Sequence, residues 1–200
     1  MASPAYTVYG TAKSRAARVL WMLEELGQPY EHIPAHPRDA ALSAVSPAGK
    51  IPAMTVDGTA LTDSTAIIQY LADRHGALTF AAGTLERARQ DALTHCILDE
   101  FDAVLWTAAR HSFILPEEHR VAGVKDSLRW EFNRNTAAFA ARMGDGPFLM
   151  GEVMTVPDIV LTHCCLWARS AKFEITAPKL AEYLDQLKQR PALRRAFKRE

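Results

Sequence analysis

Two short stretches carry the residues best suited to chemistry. Ser46-Pro47-Ala48-Gly49-Lys50-Ile51-Pro52-Ala53-Met54 leads into Asp57-Gly58, and Leu61-Thr62-Asp63-Ser64 follows. Pro52 has no amide proton, so it suits the start of a strand and not the middle of a central one. A peptide bond before proline is also the one place where the cis form is cheap. A cis Ile51–Pro52 bond would turn the Ile51 main chain away from the sheet and toward a ligand. Asp63-Ser64 stands where a helix is expected to begin. Such a start offers unpaired amides and the positive end of a dipole to an anion. Main-chain pairing on one side and anion capture on the other is what a small peptide with a free carboxylate requires.

These residues need a scaffold, and the hydrophobic pattern supplies one. Tyr6-Thr7-Val8-Tyr9 is a β-prone run ending at Gly10. From Ser14 the period changes: Ala16, Val19, Leu20, Leu23 and Leu26 share a helical face, and Gly27 stops it. Tyr30-Glu31-His32-Ile33 follows as a strand. Strand, helix, strand predicts a βαβ unit with parallel strands and a right-handed crossover. A connector with Pro34, Pro37 and Pro47 leads to a hairpin turning at Asp57-Gly58, where both residues tolerate positive φ. A helix from Ser64 then buries Ile67, Tyr70 and Leu71 and closes at His75-Gly76.

From about Leu85 the pattern is helical only. Leu85, Ala88, Ala92 and Cys96 begin a long element reaching Trp106, and a second is expected from about Glu117 to Met143. After Gly144-Asp145-Gly146-Pro147, Thr155-Val156-Pro157-Asp158 reads as a capping box opening a third helix. Shorter helices are expected over Pro178–Gln189 and from Pro191. The chain thus divides into an α/β part, residues 1–78, and an all-α part, residues 84–200, joined by Gly76–Thr84.

At 200 residues with a formal net charge of +0, the chain has a real core but no field to gather nucleic acid or anionic lipid. The basic run Arg190, Arg194, Arg195, Lys198 and Arg199 reads as a terminal helix whose cations face water. Cys96, Cys164 and Cys165 form no Cys-x-x-Cys pair, and the last two lie in the apolar run Leu161–Trp167 as buried free thiols. No histidine pair has metal-binding spacing, so no metal is expected. The N-terminal residues lack a basic segment followed by an apolar run, and no stretch has membrane-crossing length. A cytoplasmic, reducing setting is expected.

The whole sequence resembles the cytosolic glutathione S-transferase family, in its bacterial, serine- or tyrosine-activated form. The resemblance is carried by Ser14-Arg15-Ala16-Ala17-Arg18-Val19-Leu20-Trp21-Met22-Leu23-Glu24-Glu25-Leu26-Gly27, by Ser46–Met54, and by Leu61–Leu71. Phe148-Leu149-Met150-Gly151 and the Thr155–Asp158 box carry it in the second half. It implies a thioredoxin-like N-terminal domain, an all-helical C-terminal domain and a homodimer. It also implies attack of the glutathione thiolate on a small hydrophobic electrophile, as in detoxification.

The thiol must be deprotonated to attack, so its pKa must fall, and a hydroxyl aimed at the sulfur or a nearby helix N-terminus does this. Serine-type members carry that hydroxyl where Ser14 stands, whereas tyrosine-type members place a phenol where Tyr9 stands. The other reading of Ser14 is an ordinary helix cap, and of Tyr9 an aromatic packed beside the sheet. The resemblance assigns the γ-glutamyl carboxylate to Ser64, the α-amino group to Asp63 and the cysteinyl main chain to Ile51, beside Pro52. Lys50 and His36 are further ligand contacts on this resemblance, and Asp99 reaches the γ-glutamyl amine of the partner subunit. Trp106, Arg110, His111 and Phe113 are candidates for the electrophile pocket. A glutathione-dependent isomerase or dehalogenase would share this thiol site, and a non-catalytic binding module would keep only its holding half. A disulfide reductase is disfavoured, since Tyr9–Arg18 contains no cysteine.

Overall fold

The computed structural model describes residues 6–198. The first residues of the leader reading and Arg199 of the basic run therefore lie outside the described residues. Contacts divide the chain into two units, one running to Ala81 and including the chain from Lys188 onward, the other from Ala82 to Leu187.

The first unit is built on a four-stranded mixed sheet in the order β2-β1-β3-β4. β1 (Tyr6–Tyr9) and β2 (Glu31–Ile33) are parallel, with Val8 opposite His32, and α1 (Ala16–Glu25) is the crossover between them. β3 (Ala53–Val56) runs antiparallel to β1, with Val8 opposite Met54, and pairs with β4 (Thr59–Thr62). Asp57 and Gly58 make the hairpin at φ 49° and 79°, the mirror-image turn that matches strand twist. α2 (Ser64–His75) follows and ends at Gly76 in the left-handed region. The βαβ and ββα order expected from the pattern is therefore present as a thioredoxin-like arrangement, with an all-helical region after it.

Every residue of α1 from Ala16 to Leu23 is buried, Arg18 included. A helix apolar on all sides needs cover on more than one face, and α8 (Pro191–Phe197) packs on it in addition to α2. Two acids at the C-terminal end of α1 hold α8's approach. Arg190 donates Nε and Nη2 to the two oxygens of Glu25 at 2.6 and 2.7 Å, and Arg195 Nε donates to Glu24 at 2.6 Å. The water-facing reading of the basic run is thus corrected for Arg190, half-buried against Glu25, while Arg195 pairs with Glu24 and still faces water. The packing also groups α8 with the first unit.

In the second unit α3 (Leu85–Ile97) continues through a wide π-type turn, Leu98–Asp102, into α4 (Ala103–Ala109), and a second such turn covers Arg110–Ile114. α5 is Val124–Arg142. The helix expected from Glu117 starts later, because Glu117–His119 forms only a 3-10 turn and Gly123 interrupts before Val124. Residues 117–120 are all polar and exposed, so no buried face holds them helical. Phe101 meets Phe132 and Phe139 edge-on at 5.6 and 5.4 Å, and Phe173 adds to Phe132 at 5.5 Å.

α6 (Val156–Ser170) opens with the expected capping box, and α7 (Pro178–Leu187) packs on it. Asp158 is fully buried and accepts from Leu149 N, Thr155 N, Thr155 Oγ1 and Tyr183 Oη at 2.8, 2.7, 3.0 and 2.5 Å. Burial raises the Asp158 pKa against the pull of these donors. Burial, and then the carboxyl beside it, holds the Tyr183 phenol well above its ordinary value. Cys164 and Cys165 are buried as expected, and burial pushes the Cys165 thiol up strongly. No described helix is long and apolar enough to cross a membrane.

Candidate active site

The candidate residues of the first unit sit at the ends of its strands and at the starts of its two main helices. The connector before β3 is a chain of local bonds. Gly49 N donates to Ser46 O at 2.7 Å. Ser46 Oγ donates to Lys50 O at 2.8 Å and accepts from Lys50 N at 3.2 Å. Lys50 has its main chain occupied and its side chain exposed. The Ile51–Pro52 bond is cis. Among the described residues no hydrogen bond uses the Ile51 main chain, so its N–H and C=O remain open to a partner.

Gly10, at the end of β1, makes the next link. Its φ is 135°, and a Cβ there would lie 2.8 Å from Ala16 Cβ and 3.2 Å from Ile51 Cβ. Only a residue without a side chain lets the start of α1 and Ile51 approach the same point. Tyr9 and Ile51 both pack on the cluster of Ala35, Leu42 and Ala53. The Tyr9 ring is thus partly committed to packing.

Ser14 lies in a turn two residues before α1. Its Oγ donates to Thr11 O at 2.8 Å and accepts from Ala16 N at 3.1 Å. A hydroxyl has one proton to give, and here it is given to Thr11. To donate to a sulfur, the Ser14 hydroxyl must swing its proton away from that carbonyl.

At the start of α2, Asp63 holds φ 69°, ψ 120°, a region costly for a residue with a side chain and found mainly at functional sites. Its Oδ1 accepts from Thr65 N at 2.9 Å and Ala66 N at 3.0 Å. The Ser64 amide is left as the open donor of the first turn. Ser64 is buried, and its Oγ accepts from Nη1 of Arg18 at 3.2 Å. Arg18 was outside the sequence-derived site. The signal for it is a charge set among Ala16, Ala17, Val19 and Leu20, where burial demands a polar partner. His36 is exposed, and its main-chain N–H donates to Asp39 Oδ2 at 2.6 Å.

The remaining candidates belong to the second unit. Asp99 is exposed on the first π-type turn. Trp106 is half-buried on α4, and Arg110 donates from Nη2 to Thr107 Oγ1 at 3.0 Å. His111 Nδ1 accepts from Val121 N at 3.1 Å. Phe113 is 66% exposed, so packing in the core is not its role. Among the described residues no group of three His, Cys, Asp or Glu side chains could hold a metal ion.

The family model for the glutathione S-transferase N-terminal domain matches residues 8–79, the span of this sheet and its two helices. Glutathione S-transferase GstA of Escherichia coli O157:H7 is 26% identical over 161 residues, 78% of this chain and 77% of that protein. Residues 8–79 belong to the glutathione S-transferase N-terminal domain family, and most of the chain is similar to cytosolic glutathione S-transferases. Within this family, a maleylacetoacetate isomerase of Rhizobium meliloti is 28% identical over 184 residues, 86% of this chain and 85% of that protein. The glutathione transferase URE2P6 of Phanerochaete chrysosporium, solved with oxidized glutathione, matches with a TM-score of 0.84 at 25% identity, over 98% of this chain and 96% of that one. The family thus includes a structural relative of nearly the same length that binds a form of glutathione.

Proposed function

We propose that this chain is a glutathione transferase that activates the glutathione thiol for attack on a small hydrophobic electrophile. The observation that carries the reading is the start of α2. The strained Asp63 caps the helix, while Ser64 offers an open amide and a hydroxyl whose lone pair already serves the buried Arg18. With that lone pair engaged, the Ser64 proton is directed outward, toward a carboxylate. The γ-glutamyl carboxylate binds there, at a helix N-terminus backed by a guanidinium. Asp63 Oδ2 takes the α-amino group, and the open Ile51 main chain pairs with the cysteinyl residue. Lys50 and His36 stand at the rim, for the glycyl end.

The thiolate is stabilised by Ser14, whose hydroxyl turns from Thr11 O to the sulfur once a stronger, anionic acceptor is present. Sulfur then forms a bond to the electrophilic carbon, and the leaving group departs with its electron pair. Asp99, from a partner subunit in a homodimer, meets the γ-glutamyl amine, and Trp106, Arg110, His111 and Phe113 belong to the electrophile side. A second reading, glutathione-dependent isomerisation, is favoured by the likeness to the Rhizobium meliloti maleylacetoacetate isomerase over most of the chain. It uses the same thiolate, which adds and is released again.

The test is titration with reduced glutathione, followed by conjugation of an aryl halide and, separately, turnover of maleylacetoacetate. Saturable binding with conjugation supports the transferase. Turnover of the second substrate alone favours the isomerase. Absence of binding at millimolar glutathione overturns both.

A further inference from the structure

His32 lies in the middle of β2, opposite Val8, and belongs to none of the groups assigned above. Its Nε2 is 2.7 Å from Gly10 O. A carbonyl oxygen only accepts, so Nε2 carries a proton and donates. The neighbouring strand residue completes the hold: Gly10 N donates to Ile33 O at 3.1 Å. Both polar groups of Gly10 are therefore tied to β2, one through the ladder and one through a side chain.

This matters because of what Gly10 begins. With φ at 135° it has no side chain to fix its peptide plane, and glycine is the residue most free to rotate there. The plane beyond it carries Thr11, whose carbonyl accepts from Ser14 N at 3.0 Å and Ser14 Oγ at 2.8 Å. A side chain at Gly10 would collide with Ala16 and crowd Ile51, so the turn is closely hemmed in there. A tilt of the Gly10–Thr11 peptide would displace the Thr11 carbonyl that anchors Ser14 N, and with it the place from which the Ser14 hydroxyl reaches the sulfur. We propose that His32 is a positioning residue for the thiol-activating turn: its ring holds the Gly10 carbonyl so that Thr11–Ser14 presents the Ser14 hydroxyl to the sulfur of bound glutathione. The proposal rests on the glutathione reading above and adds a residue to it. Since the neutral Nε2–H tautomer and the imidazolium both donate from Nε2, the hold does not depend on the ring's charge.

The experiment compares wild type, His32→Leu and His32→Gln. Glutamine places its amide nitrogen as many bonds from Cβ as Nε2 is, so it can restore the donor. Three quantities are read: the dissociation constant for reduced glutathione, the pKa of the bound thiol from its thiolate absorbance, and Tm. In H32L the thiol pKa rises by about one unit, which cuts the thiolate present at neutral pH by about fivefold for a thiol that titrates near neutrality. Glutathione affinity stays within about threefold, because Ile51, Asp63 and Ser64 are untouched. H32Q returns the thiol pKa toward the wild-type value.

An unchanged thiol pKa in H32L overturns the proposal, and so does a raised one that H32Q fails to restore. Parallel loss of affinity and thiolate in H32L also overturns it, since that marks general damage to the unit. If H32L does not fold, H32Q decides: a wild-type thiol pKa supports the proposal and a raised one refutes it. Wild type is measured first, so a chain that binds no glutathione refutes the functional reading, and the role given to His32 with it, before any variant is compared.

Discussion

The buried guanidinium of Arg18 donates from Nη1 to Ser64 Oγ at 3.2 Å, joining the first turn of α1 to the first residue of α2. This bond relates the helix preceded by Ser14 to the start of α2. Arg18→Met keeps the volume and removes both the donor and the charge. Glutathione binding is expected to weaken about tenfold, the worth of one hydrogen bond to a charged group. Calorimetric titration measures this, and an affinity equal to wild type would show that Ser64 needs no such support.

The two candidates for thiol activation differ in what their oxygens are free to do. Ser14→Ala removes a hydroxyl that has only to turn its proton from Thr11 O, while Tyr9→Phe leaves the packing on Ala35, Leu42 and Ala53 in place. S14A is expected to raise the bound thiol pKa by about one unit and lower kcat/KM at neutral pH about tenfold. Y9F should change both by less than about twofold. Thiolate absorbance against pH separates the two, and the reverse ranking would move the activating role to Tyr9.

Asp158 concentrates stability in the second unit. Asp158→Ala leaves the Leu149 and Thr155 amides and the Tyr183 phenol without their acceptor in a dry interior. The cost is expected to be about 3 kcal/mol or more, from the cap and the buried donors together. Urea unfolding of the variant measures it. A loss below about 1 kcal/mol would mean that water enters and replaces the carboxylate.

Tyr183 gives the protein an alkaline limit. Its pKa in the folded chain is raised by burial, so the phenol stays protonated after the same group in the unfolded chain, near its ordinary value of 10.0, has ionised. The unfolded state then binds fewer protons, and stability falls with rising pH. The contribution is complete below the unfolded value and is lost as pH climbs above it. Tyr183→Phe should be less stable at neutral pH, by about 1–2 kcal/mol, yet lose less on going from pH 9 to pH 11. Thermal unfolding at several pH values tests the slope, and equal slopes would place the alkaline loss elsewhere.

Much of the fold and part of the site are legible along the chain for a definite reason. The Asp63 cap, the Thr155–Asp158 box, the Asp57-Gly58 hairpin and the Ser46–Lys50 clasp all join residues within a few positions of one another. Residue type and local backbone suffice for such bonds. Where the pattern misleads, a long-range or context effect is responsible. Residues 117–123 have helical neighbours on one side but no buried face of their own, so only a short turn forms. Arg190 looks like a solvated cation until α8 lies against α1 and its guanidinium meets Glu25.

Periodicity and punctuation alone settle the order of strands and helices, and residue type supplies the family resemblance and the residues proposed to hold a tripeptide thiol. Tertiary packing decides which of those residues are supported. Arg18 and Ser64 are 46 positions apart, and His32 and Gly10 are 22 apart. Bonds over such distances depend on which faces of α1, α2 and the sheet come together, and no local preference encodes that choice. The same is true of the proton on Ser14: its type announces a donor, while only the folded turn shows that Thr11 holds it in the free protein.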